Sequence, residues 1–183
     1  MIFFSALHHM ERFQGQFKDD RRHGRGTCIY PDGSRYTGEW AVGAIQGEGR
    51  FEHANGDVYV GVLANGSRVH GKVTWAQGDE YEGDFESDVP SGEGVRHYAA
   101  ENIVHRGAWR RGEPAGIGER REMGPGIIRR GHFEGAQLHG DGVEILPGGV
   151  VGRLLAERYE GRFEHGKRQG RGTLQTGTLA AWN

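Results

Sequence analysis

Ten histidines, one cysteine and a recurrent Gly-x-Gly are the residues of this chain with the right types for chemistry. Histidines bind metal, a thiol can act as nucleophile or zinc ligand, and glycine-rich loops cradle phosphates. None of them stands at the spacing its chemistry requires. His8 and His9 are adjacent and diverge on a strand, and His23 and His139 recur at one offset of a repeat described below, more than one copy apart. No Gly pair reads G-x-G-x-x-G, carries G-K-[ST] or opens a helix, so nucleotide binding is excluded. Cys28 stands alone, which rules out an intrachain disulfide and a cysteine-based zinc site and leaves it as a small strand residue. The acids Glu39, Asp84 and Glu134 follow the repeat instead of converging, and no Ser/His/Asp cluster breaks it. The chain is expected to be no enzyme and to hold no cofactor or metal.

Basic pairs are the other chemical feature: Arg21-Arg22, Arg110-Arg111, Arg120-Arg121, Arg129-Arg130 and Lys167-Arg168. From Arg106 to Arg130 seven arginines face only Glu113, Glu119 and Glu122, a locally positive stretch that could meet an acidic protein segment or anionic lipid heads. Lipid is not predicted as the partner, because the loops after Trp40, Phe85 and Phe133 lack basic residues. A net charge of −2 excludes nucleic acid. No stretch reaches transmembrane length, and Ile2 to Leu7 is too short for a signal core without a basic flank, so the expectation is a soluble intracellular chain.

The elements that would position these residues come from a repeat. Of 183 residues 34 are Gly, with only 5 Pro and no G-X-Y period, which fits neither collagen nor a linker. The motif aromatic-x-Gly-x-aromatic begins at Phe13, Tyr36, Tyr81 and Tyr159, with weaker copies at Tyr59, His105 and Arg129. Six of the seven copies place a Gly-x-Gly 11 and 13 residues after the start; the copy at Tyr59 breaks the rule, with Gly71 one place late. On a strand, Tyr36, Gly38 and Trp40 share one face, and glycine leaves a hole that a ring from a neighbouring strand can cover. Gly24, Gly26, Cys28 and Tyr30 repeat that alternation on the second strand. Polar stretches such as Lys18–Arg21 and His165–Arg168 suit hairpin loops of several residues, and Pro31-Asp-Gly33, Ala54-Asn-Gly56 and Ala76-Gln-Gly78 supply positive φ between repeats. A lone hairpin is marginal in water, so stability must come from stacking. The reading is an all-β fold, an elongated twisted antiparallel ribbon of stacked β-hairpins forming a single repeat domain.

At these positions the sequence resembles the MORN-repeat family, whose pattern is approximately Y-x-G-x-W/F-x-x-G-x-x-x-G-x-G. The match is closest at Tyr36–Gly49 and Tyr159–Gly172. The organisation expected is an N-terminal cap or half-repeat at 1–12, seven hairpin repeats over 13–176 with an irregular insertion at 143–158, and a tail at 177–183, where Trp182 is a candidate second cap. The insertion reads either as a degenerate half-repeat at Val150-x-Gly152-x-Leu154 or as a longer hairpin arm around Pro147.

The resemblance implies a structural scaffold or adaptor for protein partners in a cytoskeletal, ciliary, flagellar or axonemal assembly, and a homodimer through open sheet edges. Two alternatives are a peripheral membrane or phosphoinositide-associated tether and the accessory repeat region of a larger enzyme. The partner-binding residues expected are the rings Tyr36, Trp40, Tyr81, Phe85 and Trp109, unless these pack on one another, with Arg110, Arg111, Arg120, Arg121, Arg129 and Arg130.

Overall fold

The computed structural model describes residues 10–149 and 155–178. The candidate cap at 1–12 is described only from Met10 onward, and Trp182 and Val150–Leu154 lie outside the described residues. Fourteen strands carry the fold: β1 Arg12–Lys18, β2 Arg21–Ile29, β3 Arg35–Ala41, β4 Ala44–Glu52, β5 Val58–Ala64, β6 Ser67–Thr74, β7 Glu80–Glu86, β8 Val89–Tyr98, β9 Ile103–Arg110, β10 Glu113–Glu122, β11 Ile127–Glu134, β12 Gln137–Leu146, β13 Ala156–Glu164 and β14 Lys167–Gly177. Helix is absent from the described residues, so none there is long and apolar enough to cross a membrane.

Contacts divide the chain into two compact units, Met1–Asp88 and Val89–Asn183. In the first, β1 to β7 pair antiparallel in chain order. In the second, β8 to β14 do the same. The fold is therefore the expected antiparallel stack of hairpins.

Its frame is a line of glycines. In the first unit Gly15, Gly26, Gly38, Gly49, Gly61, Gly71 and Gly83 stand directly opposite one another from strand to strand. In the second unit Gly94, Gly107, Gly118, Gly131, Gly142, Gly161 and Gly172 form the same line. The lead ring of each good repeat lies across this line. A β-carbon on Gly49 would sit 2.4 Å from Tyr36 Cε2, and one on Gly172 would sit 2.3 Å from the Tyr159 hydroxyl. Only glycine admits rings that close. The Tyr36 hydroxyl donates to the Glu39 carbonyl at 3.1 Å, Tyr59 to that of Val62 at 2.8 Å and Tyr81 to that of Asp84 at 3.0 Å, so the buried phenols are satisfied.

The first glycine of each Gly-x-Gly has a different task. Gly24, Gly47, Gly92, Gly116, Gly140 and Gly170 all have φ between 65° and 101°. In the first repeat Gly15 pairs with Gly26 while Gln16 pairs with His23, a bulge that leaves two extra residues on β2. The third repeat, where Gly71 reads as misplaced, resolves on the same ladder. There Val62 pairs with His70 and Leu63 with Arg68, so the bulge has one extra residue. The hairpin is one residue shorter, Gly71 keeps its place on the line, and the bulge glycine is what this copy has lost.

The hairpin tips are tighter than expected. Asp19-Asp20, Val42-Gly43, Asn65-Gly66, Arg111-Gly112 and His165-Gly166 are two-residue turns with both φ positive, the form that follows strand twist. Between repeats Gly33, Gly56 and Gly78 take the predicted positive φ, near 90° to 97°. Turns also stack: the Gly43 amide donates to the Arg22 carbonyl and that of Gly66 to Ile45. At the insertion β12 and β13 pair out to Leu146 and Glu157, β12 ending four residues past Gly142 as β10 ends four past Gly118.

Two repeats, those at His105 and Arg129, lead with neither tyrosine nor phenylalanine and are filled differently. His105 lies over Gly118, edge-on to Trp109 at 5.3 Å and to Phe133 at 4.7 Å, fully buried with neither ring nitrogen hydrogen-bonded. Burial first, and the facing Arg120 second, push its pKa down to about 4. The imidazole is thus neutral when folded and takes up a proton only once unfolded, across pH 6.5 to 4. Stability is expected to be unaffected above that window and to fall through it on acidification, by at most about 3 kcal/mol. Urea unfolding at pH 7.5 and 5 should show a drop that His105→Phe diminishes. His105→Tyr, whose hydroxyl can reach the Ala108 carbonyl as Tyr36 reaches Glu39, should raise stability by about 1 kcal/mol.

Candidate protein interface

The five rings named as a docking surface are all less than a tenth exposed, and each packs on neighbouring rings of its own unit. Tyr36 meets Trp40 edge-on at 5.5 Å and Tyr81 meets Phe85 at 5.2 Å. The indole N–H of Trp40 donates to the Gly26 carbonyl at 3.3 Å and that of Trp109 to Gly94 at 3.0 Å, tying each tryptophan to the preceding strand. Arginines at one shared repeat position lie against this face: Arg22 over Phe13 and Trp40 at 5.1 Å, Arg68 over Tyr59 and Phe85 at 5.6 Å, and Arg168 over Tyr159 at 4.8 Å. The ring face is the sheet's own core, the alternative that the sequence left open.

Nor do the arginines of residues 106–130 form one patch. Strand pleating sends Arg120 and Arg129 to the ring face, directly opposite one another, and Arg106 and Arg130 to the other, polar face, on either side of Glu119. Arg121 and Arg130 both bond Glu119 at 2.5 Å. Partial burial raises the Glu119 carboxyl, but these two hydrogen bonds outweigh it and hold it below the ordinary range. Arg129 bonds Glu144 at 3.0 Å and also Glu122, and Arg120 lies over Tyr98 at 5.7 Å. Arg110 and Arg111 are exposed at the β9–β10 turn. Seven cations counted along the sequence are thus divided between two faces and a tip, and three of them are spoken for by glutamates.

Glu144 was not legible as a site from sequence. It is 8% exposed and bonds Arg129 and, at 2.9 Å, Arg168, which lies 3.8 Å from Glu157. Arg129 and Glu144 stand in the row where the earlier repeats carry Tyr36 and Phe51, with Tyr159 completing it as Tyr59 does there. Cys28 is a small strand residue on β2 as expected and is buried, its thiol donating to Glu11 Oε1 at 3.1 Å, and burial with that carboxylate pushes its pKa up to about 11.

The polar face of the first unit carries a different feature. Along Gly38, Gly49, Gly61 and Gly71 runs an open trough of about 750 Å³ whose walls include Glu48, Arg50, Val60, Val62, Lys72 and Glu82. The second unit has a smaller counterpart, about 540 Å³, along Gly131, Gly142 and Gly161.

A family model described as the MORN repeat matches residues 13–35, 36–58, 81–102, 105–121 and 159–178, more than half of the chain. The chain belongs to the MORN-repeat family. Of the two copies left out, the one at Tyr59 has lost its bulge glycine and the one at Arg129 has no ring at its lead position. MORN repeats are associated with protein–protein or membrane interactions and are generally non-catalytic. Among curated proteins the chain is similar to Alsin of Homo sapiens, Mus musculus and Rattus norvegicus, each 27% identical over 165 residues. The match covers 85% of this chain and 10% of Alsin, so the chain spans about a tenth of the length of these relatives.

Proposed function

We propose that this MORN-repeat chain is a non-catalytic scaffold or adaptor that holds a protein partner on the polar face of its sheet. The observation that carries this reading is the division of labour between faces. The rings are buried against one another, whereas the polar face presents an open trough. The assembly we propose is cytoskeletal, ciliary or axonemal, in the cytoplasm, on the strength of the resemblance to family members of that kind. A second copy would pair along β14, whose residues are exposed over nearly the whole strand. That the matching segment is a small part of Alsin supports a further reading, in which such an array serves as the interaction region of a longer protein.

Proximity labelling and affinity purification from the native cell test the proposal. Cytoskeletal or axonemal neighbours are expected. Their absence, together with flotation of the protein on phosphoinositide vesicles at physiological salt, would replace the scaffold with a membrane tether.

A further inference from the structure

The third repeat departs from the others at one more place. On the polar face, the residues on either side of its line glycine are Val60 and Val62, 47% and 38% exposed. The other repeats carry Gln14 and Gln16, Thr37 and Glu39, Glu82 and Asp84, Arg106 and Ala108, Arg130 and His132, or Glu160 and Arg162 there. Both valines border the trough. The ladder sets Val60 between Arg50 and Lys72 in one row and Val62 between Glu48 and His70 in the other, with bare Gly49, Gly61 and Gly71 between the rows. Two β-branched side chains left half in water beside an uncovered glycine backbone give an apolar floor that another chain can approach closely.

The charge around that floor selects the occupant. Arg50 bonds Glu52 at 3.1 Å, Lys72 bonds Glu80 at 2.8 Å and Arg25 lies 3.7 Å from Glu39. The cations of the trough are thus already engaged. Glu48 and Glu82 enter no ion pair within 4.0 Å among the described residues, Lys72 standing across the ladder from Glu82, and together with Glu39, Glu52 and Glu80 the acids at the trough outnumber Arg25, Arg50 and Lys72. Glu48 stands on β4 and Glu82 on β7, three strand spacings across the sheet and one row along it, roughly 16 Å apart, a span covered by about five extended residues.

We propose that the trough binds an extended segment of a partner protein in which an apolar side chain lies between two Lys or Arg residues. The apolar group rests on Val60 and Val62, and the two cations reach Glu48 and Glu82. This rests on the protein-scaffold reading and gives it a partner class. The segment crosses the strands instead of extending an edge, so side chains, not a hydrogen-bond ladder, set its specificity.

The test is fluorescence anisotropy of the whole chain with a labelled nonapeptide carrying a central Leu-Val flanked by lysines. Controls are the same peptide with glutamates for lysines and with serines for Leu-Val. The lysine peptide should bind at least tenfold more tightly than either control. Val60→Thr with Val62→Thr, which keeps β-branched residues at exposed positions, should weaken it about tenfold with an unchanged circular dichroism spectrum. Glu48→Gln with Glu82→Gln should weaken it severalfold and flatten its salt dependence. Equal binding of the lysine and glutamate peptides, undiminished binding by the threonine variant, or binding of phosphatidylserine vesicles that this variant abolishes would overturn the proposal. Should native partners be recovered equally by wild type and threonine variant, the trough alone is wrong; should wild type recover none, the scaffold reading falls as well.

Discussion

Gly61→Ala is expected to cost about 3–5 kcal/mol and to abolish cooperative folding of the first unit's central hairpins, although it adds a single methyl group. A β-carbon there would stand 2.4 Å from the His70 carbonyl oxygen, 2.6 Å from Gly71 Cα and 2.7 Å from the Tyr59 hydroxyl. The first two are backbone atoms that cannot rotate away, and parting them would break the β5–β6 ladder. The third is the phenol that closes the ring over the line. The comparison that isolates close approach from backbone conformation is Gly66→Asn. Gly66 has φ of 85° at a turn with nothing within 4 Å of a β-carbon, and asparagine tolerates that region, so the cost should stay near or below about 1 kcal/mol. Urea unfolding followed by circular dichroism measures both. A Gly61→Ala protein within 1 kcal/mol of wild type would show that the glycine line is a compositional habit and not a packing requirement.

Glu144→Ala is expected to be the most damaging truncation of a charged side chain in the second unit, at about 3 kcal/mol. Glu144 is buried and shared by two guanidiniums; without it Arg129 keeps only Glu122, and Arg168 keeps only the longer contact to Glu157. Removing one member of a buried charge group strands the others, whereas removing the pair together is often neutral. The double variant Arg129→Tyr with Glu144→Phe rewrites this row as the Tyr36–Phe51 pair of the earlier repeats and should recover most of the loss. Thermal unfolding of the single and double variants decides the matter: a double variant less stable than Glu144→Ala would mean that the network does more than replace a missing ring pair.

These two sites also mark how far the sequence could be read. The seven hairpins, their order and the common face of the rings within each repeat followed from alternation, because a strand's period of two leaves no choice of face once one ring is placed; alternation did not decide whether Tyr36, Trp40, Tyr81, Phe85 and Trp109 dock a partner or pack on the sheet itself. The bulges did not follow. Counting residues from the start of a repeat places Gly71 out of step, since the count cannot see that one bulge residue is missing; only the ladder shows Gly71 opposite Gly61. The arginines misled for a related reason. A linear tally adds Arg120, Arg121, Arg129 and Arg130 together, while the pleat separates them, and Glu119 on the same strand as Arg121, with Glu122 and Glu144 across the ladder, meets three of them. Glu144 carried no motif at all. Val60 and Val62 did carry a signal, two apolar residues at offsets where other repeats do not pair them, but strand propensity accounts for valine anywhere in a sheet and so hid it.

Because each strand within a unit pairs only with its neighbours in the chain, no contact in the ladder waits for a distant segment to be synthesised. The loop closed at each step is one hairpin long, and the entropy spent on it is recovered as soon as the next strand arrives. Such a chain can grow its sheet in the order in which it leaves the ribosome, each finished hairpin serving as the template for the one that follows. The growing end, always an unpaired strand, is also the point at which synthesis is exposed to capture by another chain.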